Sequence, residues 1–175
     1  MTDQAPTEVT NLDRYGHSAL PWSRPHDLLA AQPSPVPYPT FFLSTIRPDG
    51  RPHTAGVGAM WYDGDLYFTS SPETRKSRNL AQNPICTISV KLEGIDVILE
   101  GEVVRVTDQP TLEKLAALYR EDGWPAEVKD DAFTAPFSAP SAGPPPWYLY
   151  RFTFNTVFGV ATAEPNGATR WRFDR

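Results

Sequence analysis

"TFFLSTIRPDGRPHTAGVGAMWYDGDLYFTSS", residues 40–71, sets the fold class. Its first run, residues 40–46, is β-branched and aromatic, the composition of a half-buried pleated strand. Pro48, Asp49 and Gly50 then supply turn chemistry, because proline fixes φ and glycine accepts the left-handed position. A second strand over residues 52–62 reaches Asp63-Gly64, a two-residue hairpin signal, and residues 65–71 run back from it. Three strands in a meander are the expectation. Gly56 and Gly58 lie inside the second, where a missing side chain marks close approach by another backbone or a ligand.

The pattern continues outward. Residues 85–92 and 95–108 read as two more strands around Glu93-Gly94, the second curving through Gly101. Residues 107–123 form the clearest helix, with Thr107 or Asp108 as cap, Leu112, Leu115, Ala116, Leu118 and Tyr119 on one side, and Gly123 as stop. Residues 147–163 give a long aromatic strand, and a turn at Pro165-Asn166-Gly167 returns the chain through residues 168–173. A short helix over 24–32, with Pro25 near its start, is ended by the Pro-rich stretch 33–39. Residues 133–146 hold too much proline for a helix or a central strand and read as a surface loop or lid. Residues 1–22 read as a loose N-terminal arm and 23–175 as one domain. The sum is an α+β class, mainly β: six or seven antiparallel strands curled into a barrel, with two to four helices at its mouth.

A net charge of −5 argues against nucleic acid as a partner, since that binding rests on a broad basic face. No apolar run approaches the roughly 20 residues of a membrane helix, and the polar start lacks a signal pattern, so the expectation is a cytoplasmic protein with no membrane partner. The single cysteine, Cys86, sits in an apolar run and reads as a small buried residue. His17, His26 and His53 lack ligand-like spacing, so no metal site is expected.

The cations that matter are local. In "TSSPETRKSRNLAQNP", residues 69–84, the hydroxyls of Thr69, Ser70, Ser71 and Thr74 are followed at once by Arg75, Lys76 and Arg78. With Ser71 as cap and Pro72 at the first helical position, a helix runs to Asn83-Pro84. Three cations then sit at the end of the helix dipole that prefers negative charge. A bound anion reverses that penalty: first-turn N–H groups, hydroxyls and the Arg75 fork together make a phosphate site. The same residues also fit a solvated surface helix.

Residues 43–90, above all "RKSRNLAQNP" after a hairpin closed by Asp-Gly, resemble the N-terminal half of the pyridoxamine 5'-phosphate oxidase-like superfamily, flavin and deazaflavin oxidoreductases with a split β-barrel. The ending "ATAEPNGATRWRF" is similar to the last strands of small members of that group. The resemblance implies a homodimer with two cofactors in grooves at the subunit interface. It places the cofactor phosphate on Arg75 and Lys76, with Ser77 and Arg78 as near neighbours and Asn79 supporting the turn. Thr69 and Ser70 would meet the ribityl chain or phosphate, and the backbone of Thr54, Ala55, Gly56, Val57 and Gly58 would lie along the isoalloxazine ring. Trp171 matches an aromatic that in relatives approaches the ring, flanked by Arg170 and Arg172.

The implied function is an oxidoreductase using FMN or the deazaflavin coenzyme F-420 on a small aromatic or conjugated substrate. A non-catalytic carrier of flavin, deazaflavin or haem is the alternative. In a flavin enzyme the cofactor carries the difficult step, so a scarcity of catalytic side chains does not count against activity. Arg47 and Arg51 would help to hold the oligoglutamate tail of F-420, and His53 opens the strand that would contact the ring. Trp61, Trp124, Trp147 and Tyr148 could line a site for a flat apolar molecule under the 133–146 lid. True pyridoxamine 5'-phosphate oxidase activity is not expected, because the resemblance would require an Arg-x-His pair where this chain has "TRWRFDR".

Overall fold

A computed structural model describes residues 5–31 and 38–175. The sequence-expected strand over 52–62 is bent at Gly58 into β3 (Pro52–Val57) and β4 (Ala59–Tyr62), and the two halves serve different neighbours. β3 pairs with β2 (Phe41–Ile46), while β4 pairs with β5 (Asp65–Ser70) across the Asp63-Gly64 turn, where both residues have positive φ. The expected three-strand meander is thereby corrected: β5 does not lie beside β3 but beside the long β10 (Tyr148–Ala161).

β6 (Ile85–Leu92) and β7 (Ile95–Val106) continue the sheet, so the order β3-β2-β6-β7-β10-β5-β4 returns to where it began through the peptide backbone at Gly58. The result is a curled, mainly β barrel of antiparallel strands with three helices among the described residues, as the α+β reading expects. The strand total exceeds six or seven because single expected strands are divided and short ones are added at the margins.

β10 makes this closure. Its first residues pair with β5, its later residues 156–160 pair with β11 (Ala168–Arg172), and β7 lies along its other side throughout. The change of partner coincides with a bulge between Phe154 and Thr156. Gly101 of β7 lies opposite Phe154, and a Cβ there would overlap the Thr153 carbonyl oxygen and come within 2.7 Å of the Phe154 Cα. The curve through Gly101 is therefore a close approach of two backbones.

Burial follows the period of the strands. β7 alternates buried and exposed residues along nearly its whole length, and Val97 and Leu99 join Leu43, Ile88, Leu66 and Phe152 inside the barrel. Cys86 is buried there, and its thiol pKa is pushed up to about 12 by burial and then by Glu102. A second core forms where α3 (Gln109–Glu121) covers Met60, Tyr67 and Leu149. Asp108 caps α3 by accepting the Thr111 N–H at 3.0 Å. Leu112 and Leu115 are fully buried, each contributing about 2 kcal/mol by removal from water.

The arm reading is corrected. Residues 1–4 lie outside the described residues, but β1 (Glu8–Asn11) pairs with β11, and Leu20 is buried with its N–H donated to Thr169 Oγ1. Alternate residues of a sheet edge can recruit a short polar strand through backbone bonds alone, which no hydrophobic period announces. α1 (Ser23–Leu29) follows; the Pro-rich stretch expected to end it lies mostly outside the described residues. The 133–146 loop is shorter than expected, since its first residues belong to β9 (Ala132–Thr134), paired with β8 (Glu127–Lys129).

Gly101→Ala should lower the unfolding free energy by about 3 kcal/mol through overpacking, read as a lower urea midpoint. An unchanged midpoint would show that β7 and β10 part freely at the bulge.

Candidate functional site

The helix after β5 starts later than the sequence pattern indicates. α2 spans Arg75–Gln82 with Thr74, not Ser71, as its cap: the Thr74 hydroxyl accepts the Ser77 N–H. Ser71, Pro72 and Glu73 instead form a turn, closed by the Thr74 N–H and hydroxyl, which both donate to the Ser71 carbonyl. Thr74 wins because its side chain and that turn satisfy three donors at once. Arg75 and Lys76 consequently occupy the first two helical positions, closer to the unpaired N–H groups than a Ser71 cap would place them.

No carboxylate stands within ion-pair distance of Arg75, Lys76, Arg78 or Arg47 among the described residues, whereas Arg51, Arg105, Arg151, Arg170, Arg172 and Arg175 each face one. Lys76 is the unusual member. It is 4 % exposed, its ammonium donates to the Ser141 carbonyl at 2.7 Å, and burial lowers its pKa from the ordinary lysine range. A buried ammonium with one neutral acceptor is under-compensated.

Lys76 reaches the wall of a cavity of about 450 Å³ beside Gly56, Val57, Gly58 and Thr69. That volume is in the range of small-molecule sites. Gly58 belongs to neither β3 nor β4, and a Cβ on it would meet open space, so the backbone there can be approached closely. Trp61, Trp124 and Phe137 contribute aromatic surface, and Leu28 and Leu29 of α1 close one side. Tyr119 and Asp122 add polar groups; the Tyr119 hydroxyl, its pKa raised by burial and then by Asp122, points to the Tyr67 carbonyl at 3.5 Å.

The structure thus brings Gly56, Val57, Gly58, Thr69 and Lys76 together on one cavity. Arg75 and Arg78 are exposed on the other side of the helix start. Ser70, Ser77 and Asn79 are buried supports: Ser70 Oγ meets Thr74 Oγ1 at 2.8 Å, Ser77 Oγ meets it at 3.0 Å, and Asn79 donates to Thr45 Oγ1. Thr54 is exposed and bonded to Ser44, and Ala55 does not line the cavity. Trp171 lies away from this cavity: it is fully buried in this chain against Trp22, and Gly159 leaves room for its ring. Its flanking Arg170 and Arg172 pair with Glu8. Trp147 and Tyr148 are likewise away from the cavity; Trp147 packs in the second core and Tyr148 lies under the Arg105 guanidinium.

The Pro-rich segment, expected as a loop or lid, lines the cavity, and its fastening to α2 is what sequence reasoning missed. Residues 137–143 form a strap fastened across the start of α2: Ser71 N–H donates to the Ala142 carbonyl at 2.8 Å, Lys76 to Ser141, and Trp124 and Trp147 ring N–H groups to Phe137 and Gly143. Gly143, at φ 77, packs so closely that a Cβ would lie 2.8 Å from Ser71 Cβ and 2.9 Å from Thr74 Cγ2. A glycine between Ala142 and a proline run was the available signal. Gly143→Ala should therefore loosen the strap locally: proteolytic cleavage within 135–146 becomes faster while the main thermal transition moves little. Equal cleavage rates would show that the strap is not held at Gly143.

A family model described as pyridoxamine 5'-phosphate oxidase matches residues 37–161. A pyridoxine/pyridoxamine 5'-phosphate oxidase of Christiangramia forsetii is 35% identical over 74 residues, covering 41% of this chain and 35% of that protein. The match thus spans about a third of the length of the curated relative. Among solved structures, a pyridoxamine 5'-phosphate oxidase-related, FMN-binding protein of Nostoc punctiforme superposes with a TM-score of 0.59 at 19% identity, covering 89% of this chain and 92% of that one. An F420 reductase gives 0.51 at 22% identity, covering 75% and 94%. These two likenesses concern the fold, and it is the sequence match across most of the barrel that fixes kinship: the chain belongs to the pyridoxamine 5'-phosphate oxidase family.

Proposed function

We propose that this chain is a flavin-type oxidoreductase that holds the phosphate of FMN or of the deazaflavin F-420 at the start of α2 and the ring along residues 56–58. The observation that carries this reading is a buried lysine, Lys76, on the wall of a glycine-lined apolar cavity at the start of a helix whose cations have no carboxylate partner among the described residues. The residues fit the group. Lys76 supplies a charge that lacks a counter-ion, the first-turn N–H groups of α2 face an anion favourably, and Gly58 leaves space against the backbone. When bound, the cofactor supplies hydride or electron transfer.

The chain's own residues then position and exclude. Trp61, Trp124 and Phe137 offer flat apolar walls suited to an aromatic or conjugated substrate, and the strap limits water. The strap also supports the second reading, a non-catalytic carrier, because it covers the cavity as a store would be covered. Two copies sharing the groove are part of the proposal. The substrate is read as other than pyridoxamine phosphate, since Arg170 and Arg172 are committed to Glu8 and the residue between them is buried.

Fluorescence titration with FMN and with F-420 tests the cofactor reading. Lys76→Ala should weaken the bound cofactor about thirty-fold or more, the ~2 kcal/mol lost on removing one partner of an enclosed charge pair. Because burial lowers the Lys76 pKa, its charge is full at low pH and is lost as pH rises through that depressed value. Affinity in the wild type should accordingly decline at alkaline pH before an exposed lysine would titrate, and Lys76→Ala should abolish that decline. Absence of binding by either cofactor would sink the reading; binding without substrate-dependent turnover would select the carrier.

A further inference from the structure

Two charged side chains stand on the cavity wall among the described residues, and they belong to different helices: Lys76 at the start of α2, and Asp122, the residue that follows α3. Both are at the unfavourable end. A helix start prefers negative charge and a helix end positive charge, yet the lysine sits at the first and the carboxylate at the second. They do not offset each other, because neither stands within ion-pair distance of an opposite charge among the described residues. Arg120, two residues before Asp122, donates instead to the Ala126 carbonyl at 2.7 Å. Asp122 is half-buried and its N–H donates to the Leu118 carbonyl, but no side-chain hydrogen bond holds its carboxylate among the described residues.

Aromatic rings surround that end of the cavity. Tyr119 and Trp124 flank Asp122 in sequence, their rings edge to face at 5.3 Å, and both line the wall together with Phe137. The Tyr119 hydroxyl reaches the Tyr67 carbonyl only at 3.5 Å, while burial and then Asp122 keep the phenol in its neutral form. The strap sets the two charged ends apart: it accepts the Trp124 ring N–H at Phe137 and the Lys76 ammonium at Ser141. Those four residues of chain span at most about 14 Å, the length of a small flat molecule. A carboxylate among aromatic rings in a mostly apolar wall matches an organic cation, whose charge meets the carboxylate while its carbon groups meet ring faces. We infer that the Asp122 end of the cavity is a cation subsite, which takes a protonated amine or quaternary ammonium group attached to the flat molecule bound there. The subsite rests on the cofactor reading above only in making that molecule the substrate: with the cofactor phosphate at Lys76, the substrate is an aromatic molecule bearing a cationic nitrogen.

Titration of the full chain with 2-naphthylmethylammonium and with 2-naphthylmethanol, nearly alike in shape, tests this by calorimetry and by the NMR signal of the Trp124 ring N–H. Wild type should bind the ammonium about ten-fold more tightly than the alcohol, the contribution of one hydrogen bond to a charged group, and the ammonium should shift the Trp124 signal. Asp122→Asn and Asp122→Ser should each remove that preference and keep alcohol binding, which shows the cavity intact. Equal affinities in wild type, a preference that survives in both variants, or no ammonium binding overturn the subsite. Titrations with FMN and F-420 separate the two readings. If neither cofactor binds and the ammonium preference holds, the cofactor reading falls and the subsite stands; if a cofactor binds and wild type shows no preference, the subsite falls alone.

Discussion

The partner exchange along β10 is the constraint from which the remaining architecture follows. A strand of this length cannot keep one straight neighbour on each side in a barrel, because accumulated twist carries its ends to different faces. Here β5 serves the first part, β11 the later part, and the bulge at Phe154–Thr156 absorbs the mismatch against Gly101. The exchange on β10 is matched by one at Gly58, where the chain passes from β3, paired with β2, to β4, paired with β5. The cavity lies at the second of these exchanges, lined by Gly56, Val57, Gly58, Ala59 and Met60.

What borders the cavity is costly without a ligand. Cations at a helix start lose about 0.3 to 1 kcal/mol each when exposed, which Arg75 and Arg78 can bear through hydration. Burying an ammonium costs several kcal/mol before compensation, and for Lys76 the Ser141 carbonyl supplies only part of it. Placing Lys76 inside and Arg75 outside follows from adjacent positions on a helix pointing about 100° apart. The larger penalty thus falls at the cavity wall, where an anion can reverse it.

Much of this was legible in the sequence. The strands over 41–46, 85–92 and 95–106 carry clean alternation, Asp63-Gly64 fixed a hairpin, and Asp108 with its apolar spacing fixed α3. The hydroxyl and cation cluster and the two cavity glycines were visible as composition alone. What was not legible depends on distance in the chain. Nothing near Thr10 states that it will pair with Arg170, and nothing near Lys76 states that Ser141 will accept its proton donors. Trp171 could be read for a cofactor face or for a core, and nothing near it announces the space that Gly159 leaves for its ring. Ser71 reads as the cap locally; in the structure Thr74 caps α2 instead, and the Ser71 N–H donates to the Ala142 carbonyl from far along the chain.

That last contact links the strap to the site's charge. The Ser141 and Ala142 carbonyls accept from the Lys76 ammonium and the Ser71 N–H, so the strap satisfies donors beside the helix start without neutralising the charge there. A neutral acceptor leaves the field of Arg47, Arg75 and Lys76 intact, and His53, held toward its uncharged form, adds no further positive charge to it. Hydrogen-bond satisfaction and charge balance are thus separate requirements here. The folded chain meets most of the first alone, whereas among the described residues no carboxylate meets the second at Arg47, Arg75, Lys76 or Arg78.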